Sequence, residues 1–334
     1  MKLSNSTEIL KLIRQAGIHP DPYSLSRTEL EALSQNPELK KKLMHTLNNS
    51  SLNLYQELEM DSPRVNAHRD ISYAAENVQL HSHSFYEIIY CETGNIQYLI
   101  GDKRYRIHSG DVILVPPGIS HRPLFYGEMK EPYSRIVLWI HADYWDSLFK
   151  LYSNELIEQL HKKEHFLLRT ESSQFKYLET LFKQCILETQ NKAPLWDIAL
   201  CGYTALLLSH LGRAFLSSQC FFPTEKREDV DRIISYVENH HAEKITLEDT
   251  ARAFHISPST LGKLFFNKIG ISFYHFVTQR RLINSKIKIE QGSSMEEAAL
   301  TCGFCDYSAF YRAFKKEYGI SPREYKKLIS HNIE

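Results

Sequence analysis

The 334 residues balance 40 lysines and arginines against 40 aspartates and glutamates, which excludes a protein that coats nucleic acid by bulk positive charge. The chain is long enough for two or three separate cores. Its six cysteines are scattered, a usage that suits a reducing cytoplasm and excludes a disulfide-built scaffold.

Met1 to Leu10 has Ser, Asn, Thr and Glu where a secretory leader has its apolar core, so no leader is expected. Residues 1–62 are predicted as a helical extension. Ile9, Leu10, Ile13 and Ala16 form an apolar stripe ended by Gly17, Ser26 and Glu29 form a capping box, and Asn36-Pro37 opens a further helix. From Val65 the pattern changes to short strands. The candidates are 85–91, 96–100, 104–108, 111–115 and 133–141, with turn signals at Thr93-Gly94, Gly101-Asp102, Ser109-Gly110 and Pro116-Pro117-Gly118. Strands so closely spaced predict a β-barrel or jelly roll over 63–145.

Helical spacing returns near 143–161, 172–190 and 195–215. The longest uncharged stretch, Ile198 to Gly212, is shorter than the ~20 residues of a spanning helix, so no membrane segment is expected. Within 146–217, Tyr177, Leu178, Leu181, Phe182 and Cys185 make an apolar stripe that must be covered. Residues 218–226, with Pro223, read as a linker. Residues 227–334 read as all-helical, with Val230, Ile233, Ile234 and Val237 as the buried stripe of the first helix. The fold class expected is therefore multidomain α+β.

Two stretches of the last region have helix-turn-helix character. In the second, Gly303 supplies the turn and Asp306 caps a helix that places Phe310 and Phe314 on one face. Gly319 ends that helix, and Ser321-Pro322 opens another. In the first, Thr246 and Asp249 resemble a capping box, Ser257-Pro258 starts the second helix, and Leu261, Leu264 and Phe265 are its buried positions. A helix from about Phe273 to Gln291 joins the two. From Pro258 to Ile289 there are six cations (Lys263, Lys268, Arg280, Arg281, Lys286, Lys288) and no carboxylate, a patch suited to phosphate contacts.

The string Gly303 to Tyr325 closely resembles the signature of the AraC/XylS family of transcription regulators: a Gly-Phe turn, Asp and Ser entering the helix, Arg-x-x-Phe-Lys-Lys, then Gly-x-Ser-Pro and Tyr. The resemblance extends over 227–328. It implies a sequence-specific DNA-binding regulator, an activator acting beside RNA polymerase, whose two recognition helices enter successive major grooves about 34 Å apart. By matching positions, Ser259, Gly262 and Lys263 face the bases in the first unit, and Ser308, Ala309 and Arg312 in the second. Lys315 and Lys316 position the phosphates. Gly262 departs from the family's usual side chain. The family arrangement also implies that the helices of 146–217 make a homodimer.

Upstream, His81-x-His83-x₃-Glu87-x₆-Gly94 and Gly110-x₅-Pro116-x-Gly118-x₂-His121 resemble the two cupin motifs, apart from the final Asn of the second. Even spacing along a strand would put His81, His83 and Glu87 on one face, with His121 closing the site. The resemblance implies a cupin-like sensor whose His81, His83, Glu87 and His121 line an effector pocket without a cofactor. The alternative is that the same four hold a divalent metal. Phe85, Tyr98, Tyr105 and Trp139 offer aromatic faces for a small polar effector, a carbohydrate by preference. Two other functions remain open: a metal-dependent cupin enzyme fused to a DNA-binding domain, and a redox regulator using Cys302 and Cys305.

Overall fold

A computed structural model of the chain describes residues 60, 62–72, 78–125, 131–149, 167–169, 176–216 and 228–331. The expected N-terminal helices and the linker at 218–226 lie outside these residues. Residues 60–310 form one compact unit, and the described residues from 311 onward belong to a second.

The first part of the larger unit is two antiparallel sheets. Strands β1 (Val65–Ser72), β2 (Tyr86–Thr93), β5 (Val112–Val115), β7 (Tyr133–Ile140) and β8 (Leu167–Leu168) form one, in the order β1-β7-β2-β5-β8. Strands β3 (Asn95–Ile100), β4 (Lys103–His108) and β6 (His121–Leu124) form the other, in the order β4-β3-β6. All five predicted strands are present, within two residues at each end. Strands β1, β6 and β8 were not among the candidates, because two are very short and β1 carries His68, Arg69 and Asp70 where a strand signal needs apolar residues.

Side-chain alternation sorts three cores. Phe85, Ile89, Val137 and Trp139 of the larger sheet meet Ile96, Tyr98, Tyr105 and Ile107 of the smaller one between the sheets. The opposite face of the larger sheet, with Ile88, Tyr90, Ile136 and Leu138, packs against helices α2 (Lys176–Asn191) and α3 (Trp196–Leu216), beside α1 (Ala142–Phe149). Here the stripe at Leu178, Leu181, Phe182 and Cys185 is buried. Phe182 stacks on Tyr90 at 4.9 Å between centroids. That stripe is covered inside the protomer by the larger sheet; of the five, only Tyr177 is exposed.

Outer-face Leu99 and Leu124 of the smaller sheet join a third core with helices α4 (Asp229–His240), α5 (Leu247–Ala253), α6 (Pro258–Ile269) and α7 (Phe273–Glu290). Val230, Ile233, Ile234 and Val237 of α4 are fully buried there, as their spacing requires. Helices α8 (Met295–Thr301), α9 (Tyr307–Tyr318) and α10 (Pro322–His331) follow. Five of the starts are capped by the residue type the pattern calls for: Thr246 accepts from Asp249 N, Ser257 from Thr260 N, Ser294 from Glu297 N, Asp306 from Ala309 N and Ser321 from Glu324 N.

Candidate functional site

The two helix-turn-helix units are α5–α6 and α8–α9. In the first, Leu261 and Phe265 anchor α6, while Ser259 and Lys263 are exposed and Gly262 is half-buried. Phe266 shares that exposed face and is 67 % exposed. It went unnoticed as a surface residue because a second Phe beside Phe265 reads as core; the helical period sets the two on different faces. In the second unit Phe310 is fully buried against Phe304, at 5.4 Å between ring centroids. Ser308, Arg312, Lys315 and Lys316 are exposed and Ala309 is half-buried. From 311 onward, Phe314 packs on Tyr318 and Tyr325.

The six-cation run does not form one phosphate-binding face. Arg280 and Lys286 are buried. Lys268 pairs with Glu228 at 2.9 Å, and Arg281 donates to the carbonyls of His241 and Glu243. Among these six, Lys263 is the exposed cation. Linear charge counting cannot see this, because α7 buries two of its four cations.

In the β region, His83, Glu87 and His121 converge, with their ligand atoms within 4.8 Å of one another. The route differs from strand alternation. β2 begins only at Tyr86, so His81 and His83 lie in the preceding segment, which is drawn in by backbone bonds between His81 and His121 and by Gly118 N donating to the His83 carbonyl at 2.8 Å. His81 is not a fourth member: its ring lies against that of His121, 4.3 Å between centroids. Trp139 Nε1 donates to Glu87 Oε1 at 2.8 Å, which orients the carboxylate.

The imidazole hydrogens can be assigned from their partners. Nδ1 of His83, His121 and His81 sits 2.7 Å, 3.0 Å and 3.0 Å from the carbonyls of Phe85, Ile119 and Gln79. A carbonyl only accepts, so each Nδ1 carries a proton. Burial lowers the pKa of His83 and takes that of His81 down to about 3, so both are neutral near pH 7 and His83 presents a lone pair at Nε2. Burial alone would raise the Glu87 pKa. The neighbouring His121 and His83 outweigh it and hold the carboxyl well below its usual range. Glu87 Oε2 lies 2.8 Å from His121 Nε2 and 3.7 Å from His83 Nε2, close enough for both to act on the carboxylate, although neither contact has full hydrogen-bond geometry. Two buried nitrogens therefore face an ionised carboxylate. That donor set, with every Nδ1 anchored on a carbonyl, fits a divalent cation held by two imidazoles and one carboxylate.

The five cysteines among the described residues are each free. Cys302 is buried, and burial raises its thiol pKa; Cys305 is exposed. A raised pKa opposes the thiolate a redox switch uses.

Residues 68–129 match the AraC-like ligand binding domain, and 250–328 match a helix-turn-helix domain. The chain is 34% identical over 124 residues to the uncharacterized HTH-type transcriptional regulator YijO of Escherichia coli (strain K12), covering 37% of this chain and 44% of YijO. It is 25% identical over 267 residues to the uncharacterized HTH-type transcriptional regulator YfiF of Bacillus subtilis (strain 168), covering 75% and 80% of the two chains. It is 23% identical over 254 residues to the Msm operon regulatory protein of Streptococcus mutans, covering 74% and 86%. The solved structure of ToxT from Vibrio cholerae O395 aligns over 80% of this chain and 98% of its own, with 17% identity and a TM-score of 0.33.

A helix-turn-helix domain joined to a ligand-binding β domain defines a DNA-binding transcription regulator. Both matched regions are similar to those of the AraC/XylS family of these regulators.

Proposed function

We propose that the chain is an effector-controlled transcription activator that reads DNA through α6 and α9, works beside RNA polymerase and acts in the cytoplasm as a regulator without catalytic activity. The domain plan we assign is an extension over 1–62, a sensor barrel over 63–145, a helical segment over 146–217, a linker over 218–226 and a DNA-binding domain over 227–334. No helix among the described residues is long and apolar enough to cross a membrane. The observation that carries the DNA reading is the pairing of two capped recognition helices, each with polar side chains exposed on the face away from its buried Phe.

Arg312 is the principal base reader in this proposal, since an exposed guanidinium can bond guanine O6 and N7 together. Ser259, Gly262 and Lys263, with Ser308 and Ala309, line the remaining contact faces, and Lys315 and Lys316 serve phosphates. With the full chain and a duplex selected from a random pool, Arg312→Ala is expected to weaken binding by about 1–3 kcal/mol and to relax preference at one base pair. A gel-shift titration with unchanged affinity and unchanged preference rejects it.

For the effector we assign a small polar molecule of carbohydrate class. Its support is the interior between the sheets, which Tyr98 and Tyr105 help to line and where Phe85 stacks on His83 and Trp139 donates to Glu87, beside His81 and His121. The orphaned Nε2 atoms favour a second reading of that cluster, in which a divalent ion is held by His83, Glu87 and His121. The ion would supply the positive charge facing Glu87 and a Lewis-acidic position for an effector oxygen.

The assigned partner is a second copy of the chain. With the α2 stripe buried, the face left to it is on α3, where Ile198, Gly202 and Leu206 are exposed one turn apart. Sedimentation of the full chain is expected to give a dimer, shifted toward monomer by Leu206→Glu. A monomeric wild-type chain, with and without DNA, removes the dimer from the proposal.

A further inference from the structure

Two cations of α7 are turned into the protein. Arg280 is 1% exposed and Lys286 3% exposed. Arg280 donates to Ser120 Oγ and to the Gly101 carbonyl, and it pairs with Glu238 of α4 at 3.0 Å. Lys286 Nζ donates to the Ser82 carbonyl at 3.4 Å. Ser82 and Ser120 are the residues immediately before His83 and His121. The two short segments that hold the histidine–carboxylate cluster are thus the segments that α7 grasps.

The smaller sheet also holds α4 and the end of α6. On its outer face Arg104 makes a two-pronged pair with Asp231, at 2.5 Å and 3.1 Å, and reaches Glu228 at 3.0 Å. Asp102 accepts from Ser235, and Arg122 donates to the Ile269 carbonyl at the end of α6. β6 therefore presents His121 to the cluster and, by alternation, Arg122 to the recognition helix.

We propose that α7 is the relay between the two functions. The state of the His83–Glu87–His121 cluster sets the positions of Ser82 and Ser120. Those positions set the seating of Arg280 and Lys286, and with them that of the helix joining the DNA-reading units. This deepens the assignment of the cluster as the effector or metal site and rests on it. Burial is what gives the contact its force. A guanidinium in a medium of low polarity loses heavily when an acceptor moves away, and Arg280 Nε already has no partner. A close-packed interface converts such a loss into a shift of the whole element.

Hydrogen–deuterium exchange on the full chain tests the relay without DNA. Glu87→Gln is expected to change exchange at 78–90 and, by about threefold or more, at 278–288. Trp139→Phe withdraws the hydrogen bond to Glu87 while keeping an aromatic ring; it leaves the carboxylate in place, carries the same expectation, and serves if Glu87→Gln does not fold. In a Lys286→Met or Ser120→Ala background the response at 278–288 is lost while that at 78–90 remains, and Ser120→Thr, which keeps the hydroxyl, restores it. An α7 response that is absent, or equally large in those backgrounds, overturns the proposal. Zn²⁺ added to the wild-type chain is the second arm. If it leaves exchange unchanged while Glu87→Gln moves α7, the metal reading fails and the relay stands.

Discussion

Gly303→Ala is expected to lower the unfolding free energy by about 2–4 kcal/mol, among the larger losses for so small a change. Gly303 has φ of +91°, in the region that side chains rarely adopt. An added Cβ would also stand 2.7 Å from the His241 carbonyl oxygen and 2.9 Å from that of Ala242. Both are backbone atoms, and the His241 carbonyl is already held by Arg281 Nε at 2.8 Å, so the obstacle cannot swing aside. Gly270→Ala is the internal control. It has φ of +80° but nothing within 4 Å of the added atom, so it bears the conformational term alone, about 1 kcal/mol. Urea titration of both variants separates the two effects. Equal losses would mean that the close approach at Gly303 contributes nothing.

The second large effect concerns the buried cluster. Full chain prepared without a metal-binding tag is expected to carry about one divalent first-row ion, to lose it on His83→Ala, and to keep it on His81→Ala. The contrast follows from geometry. His83 turns Nε2 toward Glu87, whereas His81 stands outside the trio of ligand atoms. Adding the ion to stripped protein at a hundred times its Kd should raise stability by about 2.7 kcal/mol. Elemental analysis decides the matter. If neither the wild-type chain nor either variant takes up metal, the cluster serves the effector alone.

How much of this could be read beforehand follows from the range of each interaction. The DNA-reading region was legible in detail because its signals are local. Ser257-Pro258, Asp306 and Ser321-Pro322 cap helices within three residues, and the Val230–Val237 stripe needs only a 3.6-residue period. Strands β2 to β5 and β7 were legible from alternation and turns. The gathering of His83, Glu87 and His121 was legible as a motif, but its construction was not, since it depends on a bridge between His81 and His121, forty residues apart. Least legible were Arg104, Arg122, Arg280 and Lys286. Burying such a residue depends on acceptors more than a hundred residues away, and nothing in its neighbours distinguishes it from a solvated cation.

The inward turn of Arg280 and Lys286 has a consequence for ionic strength. Each cation that neutralises a phosphate releases counterions and steepens the fall of affinity with salt, by about 0.9 in logarithmic slope per contact on a duplex. Two of the six cations counted along α6 and α7 face protein and contribute nothing to that slope. Binding by this chain should therefore weaken less on adding salt than its string of lysines and arginines suggests, and the charge withheld from DNA is the charge that ties α7 to the sensor.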